Sequence, residues 1–310
     1  MAAEHFTSDI HNARTRFLSN CEAAGLAVAS FRPPLVEDNE AKFADIVRIG
    51  SPNADRLLII APGMRLADAL CASGIEIGLL RESLREELPR EVAIVMVHAI
   101  EPAVFTVHST AHDLPKNRDW DDSVLAAAEN RFAEYARKEG LELDLAEAGE
   151  EIPNVPPGWP LETAAAIAER FLAGARRAIM IDVHTGSGAY GEGEAISCHA
   201  PGTPGERRAA EVFGARVAID AAAAGAIAGP VARVLAGRLG TAEVTALVLE
   251  FGAYSIRAVI DSMLSRGSGD PGDGPGIGRL FYPDTDDWKE LVWTRAVEVV
   301  RAGLKALAAD

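Results

Sequence analysis

Short apolar runs alternate along the chain with longer segments in which apolar residues recur every three or four positions. The apolar runs predict β-strands at residues 45–49, 56–61, 92–100, 178–184 and 245–250. The longer segments predict helices at 8–24, 67–87, 121–138, 161–173, 204–224 and 288–308. This alternation is typical of an α/β fold with a mixed, mostly parallel central sheet and helices on both faces.

Length and composition are consistent with one such unit. The 310 residues are 48% hydrophobic and 25% charged, which predicts a single α/β domain over residues 1–310. The proline-rich stretch 146–160 is predicted to be an irregular connection. The glycine-rich stretch 265–278 is predicted to be a mobile loop, either an active-site lid or a solvated insertion.

Charge and residue usage exclude several kinds of partner. A formal net charge of −16 leaves no basic footprint for nucleic acid. No apolar stretch reaches the length of a membrane span, and the N-terminus lacks the pattern of a signal peptide, so we expect a cytoplasmic protein. The three cysteines lie far apart, which indicates neither a disulfide framework nor a cysteine zinc site.

The segment 178–191 carries the strongest chemical signal. An apolar run ends at His184 and is followed by a glycine-rich turn, and functional groups in α/β sheets cluster at the carboxyl ends of strands. His184 is therefore a candidate metal ligand. The alternative is a hydrogen-bonded histidine of the core.

A second strand end carries Glu250, directly after the apolar run 246–249 and before Phe-Gly. An unpaired buried carboxylate is costly, so Glu250 either faces a polar cleft, pairs with a cation or is protonated. Each of these arrangements marks a site. The alternative is a glutamate that simply points into solvent.

The order of five motifs resembles the zinc metallocarboxypeptidase superfamily, and most nearly its bacterial branch of small carboxypeptidase-like proteins. The motifs are the strand, turn and helix at 57–81, Val-His-Ala-Ile-Glu-Pro at 97–102, Asn-Arg at 117–118, Asp-Val-His-Thr-Gly at 182–186, and Glu-Phe-Gly at 250–252. The resemblance covers roughly residues 56–255. It implies a carboxypeptidase/phosphorylase-hydrolase-like fold and no nucleotide cofactor.

The resemblance also implies roles for particular residues. His184 matches the last zinc ligand of the family, and Glu250 matches the general base that takes a proton from the zinc-bound water. Asn117 and Arg118 are similar to the pair that grips a substrate carboxylate, a task that suits the planar fork of arginine. Alternatively, Arg118 forms a surface ion pair with a neighbouring aspartate.

The chain departs from the family at the first zinc motif. The family's His-x-x-Glu falls on Arg65 and Asp68, and arginine cannot ligate zinc because it stays protonated. A zinc site needs three protein ligands, so we expect zinc binding to be weakened or lost, with Asp68 a doubtful ligand. Arg65 instead offers a cation that could polarise a carbonyl. Alternatively, His108 and His112 form a displaced metal site together with His184, or they are two ordinary loop histidines.

Three functional hypotheses follow. The first is a carboxypeptidase-like hydrolase that cleaves an amide or related bond in a small or peptide-like substrate bearing a carboxylate, with Glu250 as base and a residual or displaced metal at an altered zinc site. The second is a metal-free enzyme of changed chemistry, with Arg65 as electrophile and Glu250 as base. The third is a pseudoenzyme that keeps the cleft for binding alone.

Overall fold

A seven-stranded mixed sheet forms the centre of the described chain. The computed structural model describes residues 2–32, 43–63, 66–82, 88–99, 159–186, 188–217, 230–254 and 281–309. The strand order within them is β1-β2-β4-β3-β5-β7-β6. The strands are β1 (Val28–Phe31), β2 (Ala44–Gly50), β3 (Arg56–Pro62), β4 (Val92–His98), β5 (Arg177–Gly186), β6 (Gly193–Ser197) and β7 (Glu243–Gly252).

The four middle strands β4, β3, β5 and β7 run parallel to one another. Strand β2 pairs antiparallel with both β1 and β4, and β6 pairs antiparallel with β7. The middle strands are apolar along most of their length, because both faces of this part of the sheet are covered. Their carboxyl ends meet at one edge of the sheet, where function is expected in such folds.

Helices cover both faces of the sheet. They are α1 (Ile10–Ala23), α2 (Leu66–Arg81), α3 (Trp159–Ile167), α4 (Pro204–Phe213), α5 (Pro230–Gly237) and α6 (Asp286–Ala308), with a π-helical turn, Ala168–Leu172, directly after α3. One core cluster joins α1, α2, α4 and α6 to the first face of the sheet. A second core cluster joins α3 and α5 to the other face. The predicted fold class is therefore confirmed.

Helix α2 lies deep in the molecule. Every residue from Leu66 to Leu80 is buried, because the helix packs between α1, α6 and the sheet. No helix in the described parts of the chain is long and apolar enough to cross a membrane. The burial of α2 matters for the site, because its first turn holds Asp68 beside the end of β5.

The observed elements differ from the predicted ones at several places. Strands β1 and β6 and helix α5 were not predicted. The helix predicted over 204–224 ends at Phe213, because Gly214 adopts φ 64° and caps the helix. The strand predicted over 92–100 ends at His98, since Ala99 adopts φ 57°. The predicted helix at 121–138 and the loop 265–278 lie outside the described residues.

Two buried acidic residues lie where α1, α2 and β2 meet. Asp45 is fully buried and accepts hydrogen bonds of 2.6 and 3.1 Å from the Arg14 guanidinium. Glu76 is also fully buried, and neither of its carboxylate oxygens has a hydrogen-bond partner among the described residues. Burial, and secondly the charge of Asp45, raise the pKa of Glu76 well above its ordinary value of 4.5.

We predict that Glu76 makes the fold less stable as pH rises. Below pH 4.5 its carboxyl is protonated in both states, whereas above that pH the folded chain holds the proton more tightly than the unfolded chain, so stability is lost. Glu76→Gln should remove this loss. Urea unfolding at pH 5, 7 and 9 should show the variant gaining about 1 kcal/mol or more on the wild type as pH rises.

Glu22→Gln, on the exposed side of α1, is the matched control and should follow the wild type at every pH. A constant difference between Glu76→Gln and the wild type across this pH range would contradict the assignment.

Candidate active site

The two strand ends singled out by the sequence lie side by side. Strands β5 and β7 pair in parallel, and His184 stands opposite Glu250 in their register. Residues in register on paired strands point to the same face of a sheet. His184 and Glu250 therefore share one face at the carboxyl edge, although 66 positions of chain separate them.

A second acidic residue accompanies His184 from within the same strand. Asp182 Oδ1 lies 3.1 Å from His184 Nε2. The Asp182 side chain is buried, whereas that of His184 is 21% exposed. A carboxylate beside one ring nitrogen fixes the tautomer and orientation of an imidazole. Asp182 was not predicted as a site residue, although an acidic residue two positions before His184 lies on the same face of the strand.

Asp68 has a structural partner. It is 1% exposed in the first turn of α2. Its Oδ1 accepts hydrogen bonds from the Thr185 backbone N–H at 2.9 Å and from Thr185 Oγ1 at 3.1 Å. This contact ties the start of α2 to the end of β5. Asp68 thus fixes the strand end that presents His184.

Two glycines leave the space that these side chains occupy. A Cβ on Gly63 would lie 2.9 Å from Asp68 Cγ and 3.0 Å from His184 Cδ2. A Cβ on Gly186 would collide with the Glu250 carboxylate, with its Cδ at 3.1 Å. A side chain at either position would therefore have to displace these groups, so glycine leaves them room. Asp68, His184 and Glu250 are each packed against a glycine backbone.

A third strand adds a carboxylate to the same row. Glu194 on β6 stands opposite Glu250 in the antiparallel register of β6 and β7. Arg216 Nε lies 2.6 Å from Glu194 Oε1 and compensates its charge. The row His184, Glu250 and Glu194 crosses three adjacent strands. Glu194 was not predicted as a site residue, because β6 was not predicted.

The described residues do not complete a zinc site. Zinc in a protein is held by at least three side chains. No group of three or more His, Cys, Asp or Glu side chains is arranged to hold a metal within the described ranges. Asp68 and His184 are the two residues that match zinc ligands of the family. Asp68 Oδ1 already accepts two hydrogen bonds from Thr185.

Several predicted site residues fall outside the described part of the chain. They are Arg65, His108, His112, Asn117 and Arg118. Their roles remain predictions. The structure thus places His184 beside Glu250. Asp182 contacts His184, and Asp68 binds the neighbouring residue Thr185.

A family comparison places the chain. Residues 6–141 and 155–295 match the model of a family described as "Protein of unknown function (DUF2817)". The chain belongs to this family. No curated protein matches its sequence.

Solved structures resemble the chain in fold. Bovine thrombin-activatable fibrinolysis inhibitor, in complex with tick carboxypeptidase inhibitor, gives a TM-score of 0.54 at 8% identity, with 99% of each chain covered. A metallo-carboxypeptidase from Pseudomonas aeruginosa gives 0.45 at 16% identity, over 94% of this chain and 69% of its own. An aspartoacylase family protein from Mesorhizobium loti gives 0.37 at 15% identity, over 79% and 68% respectively. The first likeness confirms the predicted carboxypeptidase-like fold.

We predict that Gly63→Ala disturbs the site by steric overlap alone. Gly63 does not adopt a positive φ, so alanine is allowed by its backbone, but the new Cβ would press on Asp68 and His184. Overpacking of this kind costs about 1–3 kcal/mol. Urea unfolding should show a loss of that size.

Gly237→Ala is the matched control, because Gly237 lies in helix α5 with open space around its Cβ position. It should be neutral or slightly stabilising. Equal stability of the two variants would show that Gly63 does not separate Asp68 from His184.

Proposed function

We propose that this chain is a hydrolase that cleaves an amide or related bond in a small or peptide-like substrate bearing a carboxylate. The observation that carries the proposal is the register of His184 opposite Glu250 on adjacent parallel strands. Both side chains face the same way at the carboxyl edge of the sheet, where α/β enzymes place their reactive groups. The carboxypeptidase-like fold supports the same reaction class by analogy.

Glu250 is the proposed general base. A carboxylate within reach of a water molecule can take its proton as the water attacks a carbonyl carbon, and can then pass that proton to the leaving nitrogen. The Glu250 carboxylate lies directly beside the backbone of Gly186, which has no side chain to cover it. General base catalysis of this kind contributes about 10²–10⁴-fold to a rate.

His184 is the proposed partner of Glu250. Asp182 Oδ1 lies 3.1 Å from His184 Nε2, and a carboxylate in this position favours a proton on that nitrogen. The ring is held from one side by Asp182 and packed from another by Gly63. A histidine held in this way can orient the attacking water beside Glu250.

Two residues suggested by the family resemblance, and Arg65 where the chain departs from the family, complete the proposal. Asn117 and Arg118 would hold the substrate carboxylate, because a guanidinium can bind it through two parallel hydrogen bonds. Arg65 would polarise the carbonyl that Glu250 and its water attack. These cations would also offset the negative charge of a chain with a net charge of −16 when an anionic substrate approaches.

One observation favours a variant of this function, a metal-free enzyme of changed chemistry. Both hydrogen bonds from Thr185 fall on Asp68 Oδ1, so the carboxylate in register with a family zinc ligand has a structural task. Arg65, which directly precedes Leu66 in the sequence, would then supply the positive charge. A protein that only binds its ligand is the third candidate, and the turnover experiment separates it from both enzymes.

The proposal predicts that Glu250→Gln abolishes turnover while ligand binding persists. Glutamine keeps the shape of the side chain but cannot accept a proton, so kcat should fall about 10²-fold or more. Purified protein is incubated with a panel of N-acyl amino acids and short peptides with a free carboxylate, and the released amine is quantified by mass spectrometry.

Glu243→Gln is the matched control. Glu243 lies at the opposite end of β7, is 43% exposed and pairs with Arg177, so its substitution should leave turnover unchanged. Turnover that survives Glu250→Gln would remove Glu250 from the mechanism. Ligand binding without turnover by the wild type across the panel would favour the binding protein.

A further inference from the structure

A pocket of about 240 Å³ lies on the α3 and α5 face of the sheet. Strands β5 and β7 form its floor, and α5 forms one wall. Its apolar lining includes Met180, Ala236, Val244 and Ala246. Its volume is below the usual range for drug-sized ligands, so it fits only a small molecule.

The inner end of the pocket carries an acceptor without a donor. Asp182 lines the pocket and is 2% exposed. Its Oδ1 faces His184, whereas its Oδ2 is buried and has no hydrogen-bond partner among the described residues. Leaving a buried acceptor unsatisfied costs about 1–3 kcal/mol, and more when it is charged. A ligand with an N–H donor at this position would remove that cost.

Neighbouring polar side chains do not serve Asp182. His199 Nε2 accepts a hydrogen bond of 2.8 Å from the Ala246 backbone N–H, and its Nδ1 faces Gly205. The Cys198 thiol stays neutral, because burial and then the charge of Asp182 raise its pKa to about 12. A thiol is a weak donor at best. Among the described residues, the inner end of the pocket therefore presents a carboxylate oxygen that accepts no hydrogen bond.

The mouth of the pocket carries the opposite charge. Arg233, in the first turn of α5, lines the pocket and is exposed. No ion pair of Arg233 occurs within the described ranges. By contrast, Arg238 on the following turn pairs with Glu169 at 3.0 Å. The pocket thus has a carboxylate inside, an apolar middle and a guanidinium at its rim.

We propose that this pocket binds a short aliphatic zwitterion, with its ammonium group on Asp182 and its carboxylate on Arg233. The ammonium supplies the donor that Asp182 Oδ2 lacks, and a charge-assisted hydrogen bond to a buried carboxylate is stronger than a neutral one. The methylene chain replaces water along Met180, Val244 and Ala246. The proposal concerns binding only and does not depend on the hydrolytic function.

Isothermal titration calorimetry with three probes tests the ligand class. 5-Aminopentanoate carries both charges, whereas pentanoate lacks the ammonium group and pentylamine lacks the carboxylate. We expect 5-aminopentanoate to bind the wild-type protein at least tenfold more tightly than either single-charge probe. Absence of binding by 5-aminopentanoate, or equal binding by pentanoate, would overturn the proposal.

Variants locate the site. Ala236→Phe should fill the pocket and abolish binding of 5-aminopentanoate. Arg233→Ala should weaken 5-aminopentanoate about tenfold while leaving pentylamine unchanged, and the matched control Arg238→Ala should leave both unchanged. Undiminished binding by Ala236→Phe, or identical effects of the two arginine substitutions, would place the ligand elsewhere and contradict the assignment.

Discussion

The parallel pairing of β5 with β7 is the contact on which the site depends. Ten residue pairs lie in register between these strands, from Arg177 opposite Glu243 to Gly186 opposite Gly252. A slip of one residue would turn His184 and Glu250 to opposite faces, because side chains alternate along a strand. The apolar residues of both strands are buried on each face, so such a slip would also expose the core. The packing that stabilises the sheet thereby fixes the geometry of the site.

Two buried carboxylates, Asp68 and Asp182, lie near the end of β5 on opposite faces of the sheet. Asp68 is buried on the α2 side and holds the end of β5 through Thr185. Asp182 is buried on the opposite side and touches His184 with one carboxylate oxygen. The two acidic side chains therefore contact β5 residues on opposite faces of the sheet. Burial makes both carboxylates costly unless something binds them, which links the stability of the strand end to the groups it presents.

The local apolar pattern predicted the middle of the sheet and the two strand ends that carry His184 and Glu250. It could not predict β6, because the five residues Gly193–Ser197 are held in the sheet by nonlocal contacts, chiefly the pairing with β7. The structural role of Asp68 could not be predicted for the same reason. The family motif suggested only that Asp68 is a doubtful metal ligand. Its hydrogen bonds to Thr185 join positions 117 residues apart, and the spacing of residues along the chain does not predict such a contact.

Asp182 was predictable and was missed. Alternation along β5 puts it on the face of His184, and a carboxylate inside an apolar strand requires a partner. The helix predicted over 204–224 failed for a local reason that the sequence also contained. Gly214 can adopt the left-handed conformation that ends α4, and it does so at φ 64°.

A double-mutant cycle in the free energy of unfolding tests most directly whether His184 and Glu250 form one centre. Urea unfolding is measured for the wild type, His184→Ala, Glu250→Gln and the double variant. Contacting residues couple by about 0.5 kcal/mol or more, so the two single effects should not add. If the double variant instead equals the sum of the single effects to within about 0.3 kcal/mol, the two side chains act independently and the account of the site is contradicted.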